Sequence, residues 1–227
     1  FNPATRILKD AIKDKRFGEG NMADAYIKWW RSQDYYDSGD WRGTWNLDGG
    51  GALMNQSIHT IDLLLYLMGP IKNVRAETRL RGHTAIEVED TAVALCEFEG
   101  GALGVIQGST ASWSKTGHSA EIQITGSRGS VFMADDYFKV WEFDDETEAD
   151  EIIRKDFMDQ SSRGGAGAAA RSAIDFSWHT RNYEDIVAAI VNKGKPKITG
   201  EEARRAVALI AAIYESAASG GKRVEVS

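Results

Sequence analysis

The sequence predicts an α+β fold: an open, mostly antiparallel sheet with helices on one face. Three observations carry that expectation. Strand-like runs follow one another from Val74 to Phe143 with short turns between them. Helical spacing of apolar residues is confined to the two ends and to one segment after three consecutive glycines. The strict alternation of strand and helix that a parallel nucleotide-binding sheet needs is missing.

Taken in order, Phe1 to Arg16 opens with Asn2-Pro3, a capping residue before a proline at the first helical position. Ile7, Leu8, Ala11 and Ile12 recur at helical spacing, and Gly18 and Gly20 end the run. Ala23 to Trp30 is bulky and β-forming and reads as a strand, with Trp29 and Trp30 packed on the core. Arg31 to Gly51 is polar, aromatic and glycine-rich, the composition of a loop that can carry function. Ala52 to Met68 reads as one helix stopped by Gly69-Pro70. Six strands are expected at Val74 to Leu80, Thr91 to Phe98, Ala102 to Thr110, Ser119 to Ile124, Ser130 to Met133 and Phe138 to Phe143. Glu99-Gly100-Gly101 and Gly126 to Gly129 supply turns. Asp144 to Glu151 reads as a solvated acidic stretch, and Ser161 to Ala170 as a mobile small-residue loop. Trp178 to Asn192 and Glu201 to Ala218 are the closing helices.

The chain has 227 residues, enough for one sizeable core, and it is expected to form a single domain over 1–227. A net charge of −7 excludes a global basic footprint for nucleic acid or an anionic membrane surface. No apolar run is long enough for a membrane span, and no secretory signal is visible. One cysteine, Cys96, rules out an internal disulfide framework and fits a reducing, cytoplasmic setting. The first residue is Phe1, so the chain is expected to begin inside a longer polypeptide.

The strongest candidate site lies on the helix after Gly49-Gly50-Gly51. Asn55, His59, Asp62 and Tyr66 are spaced by four, three and four, which stacks them on one helix face. An imidazole on a rigid helix can take and give a proton near neutral pH, whereas the Asn55 amide can only hydrogen-bond. A plain solvated helix face accounts for the same spacing equally well. His59 and Asp62 fall short of the three ligands a metal needs. Tyr35, Tyr36, Trp41 and Trp45, with Arg31 and Arg42 among them, offer flat faces and guanidinium groups suited to sugars, nucleotides or a nicotinamide ring; a loop pinned to the core by its indoles is the structural alternative. Gly165 to Ala170 fits G-x-G-x-x-A in form only, because no buried strand precedes it. His179 opens the penultimate helix, facing solvent or the mouth of the same cleft. His83 and His118 read as surface residues.

The run WRGTWNLDGGGALMNQSIHTIDLLLYLMGP resembles the second domain of the Gfo/Idh/MocA oxidoreductases. PKITGEEARRAVALIAAIYESAASGGKRVEV looks like their closing helix, and FNPATRILKDAI like the segment after their Rossmann domain. The resemblance covers nearly the whole chain and implies the C-terminal, dihydrodipicolinate-reductase-like domain of an NAD- or NADP-dependent enzyme that moves a hydride to or from a sugar, cyclitol or nucleotide-sugar carbon. It implies that His59 exchanges a proton with the substrate hydroxyl. Asn55 stands where the family often has Asp and would orient the substrate. Tyr36, Trp45 and His179 would line the substrate cleft, while Trp41, Arg42 and Asn2 would lie near the cofactor. The form MNQxIH resembles members acting on amino-sugar nucleotides.

The family's N-terminal Rossmann domain and its Glu-Lys-Pro motif are not in this sequence. The isolated chain is therefore expected to be inactive and to hold no NAD or NADP tightly. The uncovered sheet face implies a homo-dimer or homo-tetramer. Two other readings stand beside this one. The first is a non-catalytic binding or assembly module of the same fold, which the missing cofactor machinery favours. The second is a relative of the NAD-dependent glycosidases.

Overall fold

The computed structural model describes residues 2–158 and 177–227. Its frame is an eight-stranded sheet in the order β7-β6-β5-β1-β4-β3-β2-β8. Two antiparallel meanders, β2 (Ile71–Arg79) to β4 (Leu103–Ser109) and β5 (Glu121–Gly126) through β6 (Gly129–Ala134) to β7 (Tyr137–Phe143), meet on either side of β1 (Gly20–Lys28). β1 pairs antiparallel with β5 but parallel with β4, the one parallel seam among the strand pairs. A parallel pairing needs a crossover. It is made here by the loop after β1 and by α3 (Ile58–Met68), which lie over one face before the chain enters β2.

The helices cover that face because the strands present small or branched residues to it. In β3 (Thr91–Phe98) Ala92, Ala94, Cys96 and Phe98 point inward and are buried, while Val93 and Leu95 point outward and are about half exposed. The period of two decides which residues meet the helices. At Gly108 a Cβ would come within 2.8 Å of Ser57 Oγ and 2.9 Å of Leu53, so the absence of a side chain lets the helical layer approach. α6 (Gly200–Ala218) packs Leu209, Ile210 and Ile213 beside Ile61 and Leu64 of α3 in one buried core. The other face carries Met22, Val93, Leu95 and Leu103, each close to half exposed.

The expected fold class and the six expected strands are present, with ends shifted by a few residues. β1 begins earlier than expected and stops before Trp29 and Trp30. A two-residue strand, β8 (Val224–Glu225), adds to β2 and was not anticipated. The single helix over Ala52 to Met68 is two segments, a π-helical turn at Ala52–Ser57 and then α3. Such widened turns cluster at functional sites.

The stretch from Asp144 to Glu151 is corrected most. α4 (Glu148–Phe157) starts inside it, and Asp150 is fully buried. Its carboxylate accepts from Arg16 Nη1 (2.7 Å) and Nη2 (2.9 Å), Trp141 Nε1 (2.6 Å) and the Thr147 backbone (2.8 Å) and hydroxyl (2.9 Å). Burial pushes that carboxyl up, but Arg16, Trp141 and Thr147 outweigh it and hold it well below the usual carboxylate range. Acidic composition had suggested solvent, whereas five donors make a buried charge affordable. The segments read as the loop Ser161 to Ala170 and as the false G-x-G-x-x-A lie outside the described residues.

Candidate functional site

The loop after β1 is laid down against the connection between β2 and β3. Arg31 N donates to Thr110 O (2.8 Å), which extends the strand edge. Ser32 then caps the short helix α2 (Gln33–Asp37) through Tyr35 N (3.3 Å). The Gln33 side chain accepts from Thr84 N (2.9 Å) and donates to Thr84 O (2.9 Å). Glu87 N donates to Gly43 O (2.8 Å), and Trp45 donates from its backbone to Glu87 Oε2 (2.9 Å) and from its indole to Glu87 O (3.1 Å). Gly43 sits at φ 70°, and a Cβ there would meet Ile86 at 2.7 Å. That position needs glycine twice over.

Two buried carboxylates end this connection. Glu89 caps the π-helical turn, accepting Gly51 N (3.0 Å), Leu53 N (2.8 Å) and Tyr214 Oη–H (3.0 Å). Burial pushes its carboxyl up against those three bonds, and it raises the Tyr214 hydroxyl too, with the Glu89 charge adding to the effect. Gly51 has no room for a side chain, since a Cβ would lie 1.8 Å from Glu89 O. Burial pushes the Asp90 carboxyl up as well. There the backbone N–H groups of Gly82 and Arg81, the His83 ring and the Thr91 hydroxyl win and hold it low. His83 is buried, with Nδ1 3.0 Å from Asp90 Oδ2. This corrects its reading as a surface residue: nothing local in the sequence showed a carboxylate seven positions later folding back onto it. His118 is exposed, as expected.

Asn55 is joined to the loop. Its Nδ2 donates to Asp48 Oδ1 (2.6 Å), while its Oδ1 accepts from Gln56 Nε2 (2.6 Å) and Tyr35 Oη–H (3.4 Å). Gln56 in turn accepts from Arg31 Nη2 (2.6 Å). The amide is thus oriented by protein groups on both sides. His59 stands one turn later on α3, exposed, and no hydrogen bond ties it to the loop among the described residues. Asp62 is half-buried beside it. Burial raises the Asp62 carboxyl and the nearby His59 opposes that rise. Tyr66 is exposed under Lys9, whose ammonium lies 5.0 Å from its ring centroid.

The aromatic residues divide. Tyr36 is 6% exposed, its hydroxyl 2.7 Å from Thr110 Oγ1 and pushed up to about 12 by burial, so it anchors the loop from below. Trp41 and Trp45 are 41% and 48% exposed. Trp45 stacks edge-on with Tyr214 at 5.2 Å. The Arg42 guanidinium lies 4.3 Å from the centroids of both Tyr35 and Trp41, and its Nε is buried without a hydrogen-bond partner among the described residues. Asn2 caps α1 (Pro3–Lys13), accepting Thr5 N at 3.4 Å. His179 stands on the first turn of α5 (Ser177–Val191), exposed. The connection from Arg81 to Asp90 is the part that sequence reasoning missed. Its signal was present: three carboxylates stand in four residues, Glu87, Glu89 and Asp90, and one of them, Glu89, meets a glycine-rich helix start whose N–H groups need acceptors.

Residues 5–132 match the family model of the GFO/IDH/MocA C-terminal domain. The chain belongs to that family. A D-apiose dehydrogenase from Paraburkholderia graminis is 24% identical over 176 residues, which is 72% of this chain and 42% of the relative. The WlbA dehydrogenase of Bordetella pertussis, solved with NADH and UDP-GlcNAcA, superposes on all of this chain with TM-score 0.83 and 31% identity. Its counterpart from Chromobacterium violaceum, solved with the same two ligands, gives TM-score 0.82 and 34% identity over 99% of this chain. This chain spans 60% of the length of each solved WlbA chain. The family is one of oxidoreductases, and the D-apiose, myo-inositol and WlbA relatives are named dehydrogenases. Among the described residues no helix is long and apolar enough to cross a membrane, and no cluster of ligating side chains could hold a metal.

Proposed function

We propose that this chain is the substrate-binding and oligomerisation domain of an NAD(P)-dependent oxidoreductase acting at a hydroxyl-bearing carbon of a sugar, with a nucleotide-linked sugar as the favoured class. The observation that carries the reading is the pairing of Asn55 and His59. One is wired into the aromatic loop, and the other is exposed one helical turn further on. The WlbA relatives support the substrate class, because their complexes hold UDP-GlcNAcA over the same fold at above 30% identity.

The residues present fit a nicotinamide cofactor on their own chemistry. Arg42 Nε is a buried donor without an acceptor, and Trp41 offers an exposed flat face beside it. Trp41 and Arg42 would hold the cofactor, with Asn2 at the neighbouring helix start. NAD(P), when bound, takes or supplies the hydride. The chain's own part is proton transfer and orientation. In oxidation a ring nitrogen of His59 takes the proton of the substrate hydroxyl, and in reduction it returns one to the forming hydroxyl. Asn55 cannot share that proton. Held by Asp48, Gln56 and Tyr35, it sets the edge against which substrate rests. Trp45 and His179 would line the cleft.

The test is made in the parent enzyme carrying a nucleotide-binding domain. His59→Ala should lower kcat by about 10²-fold or more, the usual share of a general acid–base. An unchanged kcat removes His59 from the mechanism. For this chain alone NADH should not bind tightly, and micromolar binding in a titration overturns that. The half-exposed Val93, Leu95, Leu103 and Met22 favour a self-association face on the open sheet. A monomer in light scattering at high concentration counts against it.

A further inference from the structure

His83 holds a position that none of the chemistry above uses. Its side chain is 1% exposed. Nδ1 lies 3.0 Å from Asp90 Oδ2, and Nε2 lies 2.8 Å from the backbone carbonyl of Arg31. Both partners are acceptors. The Asp90 carboxylate is ionised and takes four further donors: Arg81 N, Gly82 N, His83 N and Thr91 Oγ1. A carbonyl oxygen has nothing to donate. Both ring contacts are therefore hydrogen bonds only when each nitrogen carries a proton.

The ring also touches the loop by its faces and edges. Tyr36 meets it edge-on at 4.6 Å and Trp30 lies tilted at 6.0 Å. Of the titratable and charged residues in contact with it, Asp90 comes from its own connection, and Arg31 and Tyr36 come from the loop and α2. The Arg31 guanidinium donates to Trp30 O and to Gln56 Oε1.

We propose that His83 is the positioning residue of the site: a doubly hydrogen-bonded imidazole that latches the start of the aromatic loop, at Arg31, onto the Asp90 carboxylate. Arg31 is the first link of the chain Arg31–Gln56–Asn55–Asp48, so the latch sets where the Asn55 amide stands. The proton dependence follows from the two acceptors. Asp90 keeps Nδ1 protonated, so a ring that loses one proton presents a bare Nε2 to the Arg31 carbonyl, lone pair against lone pair. Docking of the loop is present while both ring nitrogens carry protons and is lost when the ring gives one up to a more basic solution. The consequence for catalysis rests on the function proposed above, but loop docking is read directly and stands or falls without it.

The experiment is hydrogen exchange on the full 227-residue chain from about pH 5 to about pH 9, corrected for intrinsic exchange. Amides of 31–37 should lose protection about tenfold or more as pH rises, the factor for one hydrogen bond to a charged group, while β3 and β4 stay protected. His83→Gln, which keeps at most one of the two bonds, should give low and pH-independent protection in 31–37. Nitrogen-15 spectra of the wild-type ring should show both nitrogens protonated where the loop is protected. A wild-type loop whose protection ignores pH, or a ring with one bare nitrogen while the loop is protected, overturns the proposal. The spectrum alone decides if the variant does not fold.

Discussion

Glu89→Gln tests whether a single buried carboxylate sets the helix that carries Asn55 and His59. The side chain keeps its shape, but one oxygen becomes an NH₂ group. Placed at the Oε1 position, that group would face Leu53 N–H, a donor against a donor. Placed at Oε2, it faces Gly51 N–H, which can fall back on Tyr214 Oη at 3.3 Å. The second arrangement is the better one, and it still leaves Gly51 with a weaker acceptor. An unsatisfied or poorly satisfied buried donor costs about 1–3 kcal/mol. Loss of the negative charge at a helix start adds about 0.5 kcal/mol. Relief of a buried charge, which burial already disfavours here, offsets part of this. The net expectation is a destabilisation of about 2 kcal/mol. With about 2.1 cal/mol/K of unfolding entropy per residue over 227 residues, that is a fall of about 4 °C in Tm. Urea unfolding gives the free energy, and exchange of the amides of 51–57 gives the location. An unchanged midpoint with unchanged exchange at 51–57 would refute the cap. An equal loss spread over the whole sheet would refute its locality.

Asp150→Asn should cost about 3 kcal/mol, because it leaves the mostly buried Arg16 with Asp145 as its one ionic partner among the described residues. Its pH dependence has a definite sign. The folded carboxyl titrates below its unfolded value, so its stabilisation is full above the unfolded range near about 3.9 and fades as pH falls through it. The gap between wild type and D150N in urea melts should therefore shrink from about pH 4 downward, and a gap that widens on acidification contradicts the assignment. Gly104→Ala places a Cβ 2.0 Å from the Ala23 carbonyl across the parallel seam and should cost about 3 kcal/mol in thermal melts. Gly100→Ala, with nothing within 4 Å, should be nearly silent, and equal effects would argue against the seam geometry. Burial pushes the Cys96 thiol up to about 12, so a thiol reagent should label it only as fast as the protein opens; rapid labelling of the folded chain refutes that burial.

Much of the fold was legible because its signals are local. The period of two in Ala92, Ala94, Cys96 and Phe98, the turn at Gly100-Gly101 and the Asn2-Pro3 start each act within a few residues. α4 was missed because Asp150, the third residue of its capping box after the N-cap Thr147, lies in an acidic run, and the partners of Asp150, Arg16 and Trp141, are brought to it only by folding. The π-helical turn was missed because the spacing of apolar residues over Ala52 to Met68 does not separate 3.6 from 4.4 residues per turn over so short a span. For the site, spacing drew attention to Asn55 and His59 and composition to the aromatic loop, while the Trp41–Arg42 pair came from the resemblance; the family match bears out the family and says nothing of residue roles. Residue types did not reveal that Tyr36 turns inward to Thr110 while Trp41 and Trp45 turn outward. All three are aromatic, and side-chain direction is a property of the packed loop.

By itself, then, the sequence determined which residues face the core, where the chain turns and which side chains are chemically able to move a proton or stack on a ring, since these depend on near neighbours and on functional groups. The tertiary structure alone decided that β1 is the shared strand of two meanders, and that the connection carrying His83, Glu87, Glu89 and Asp90 is bonded to the aromatic loop and the helix start after it. Hydrogen bonds such as Gly51 to Glu89 join residues 38 positions apart. Such bonds act over about 3 Å and leave no trace in sequence spacing, because only the closed chain brings donor and acceptor within that range.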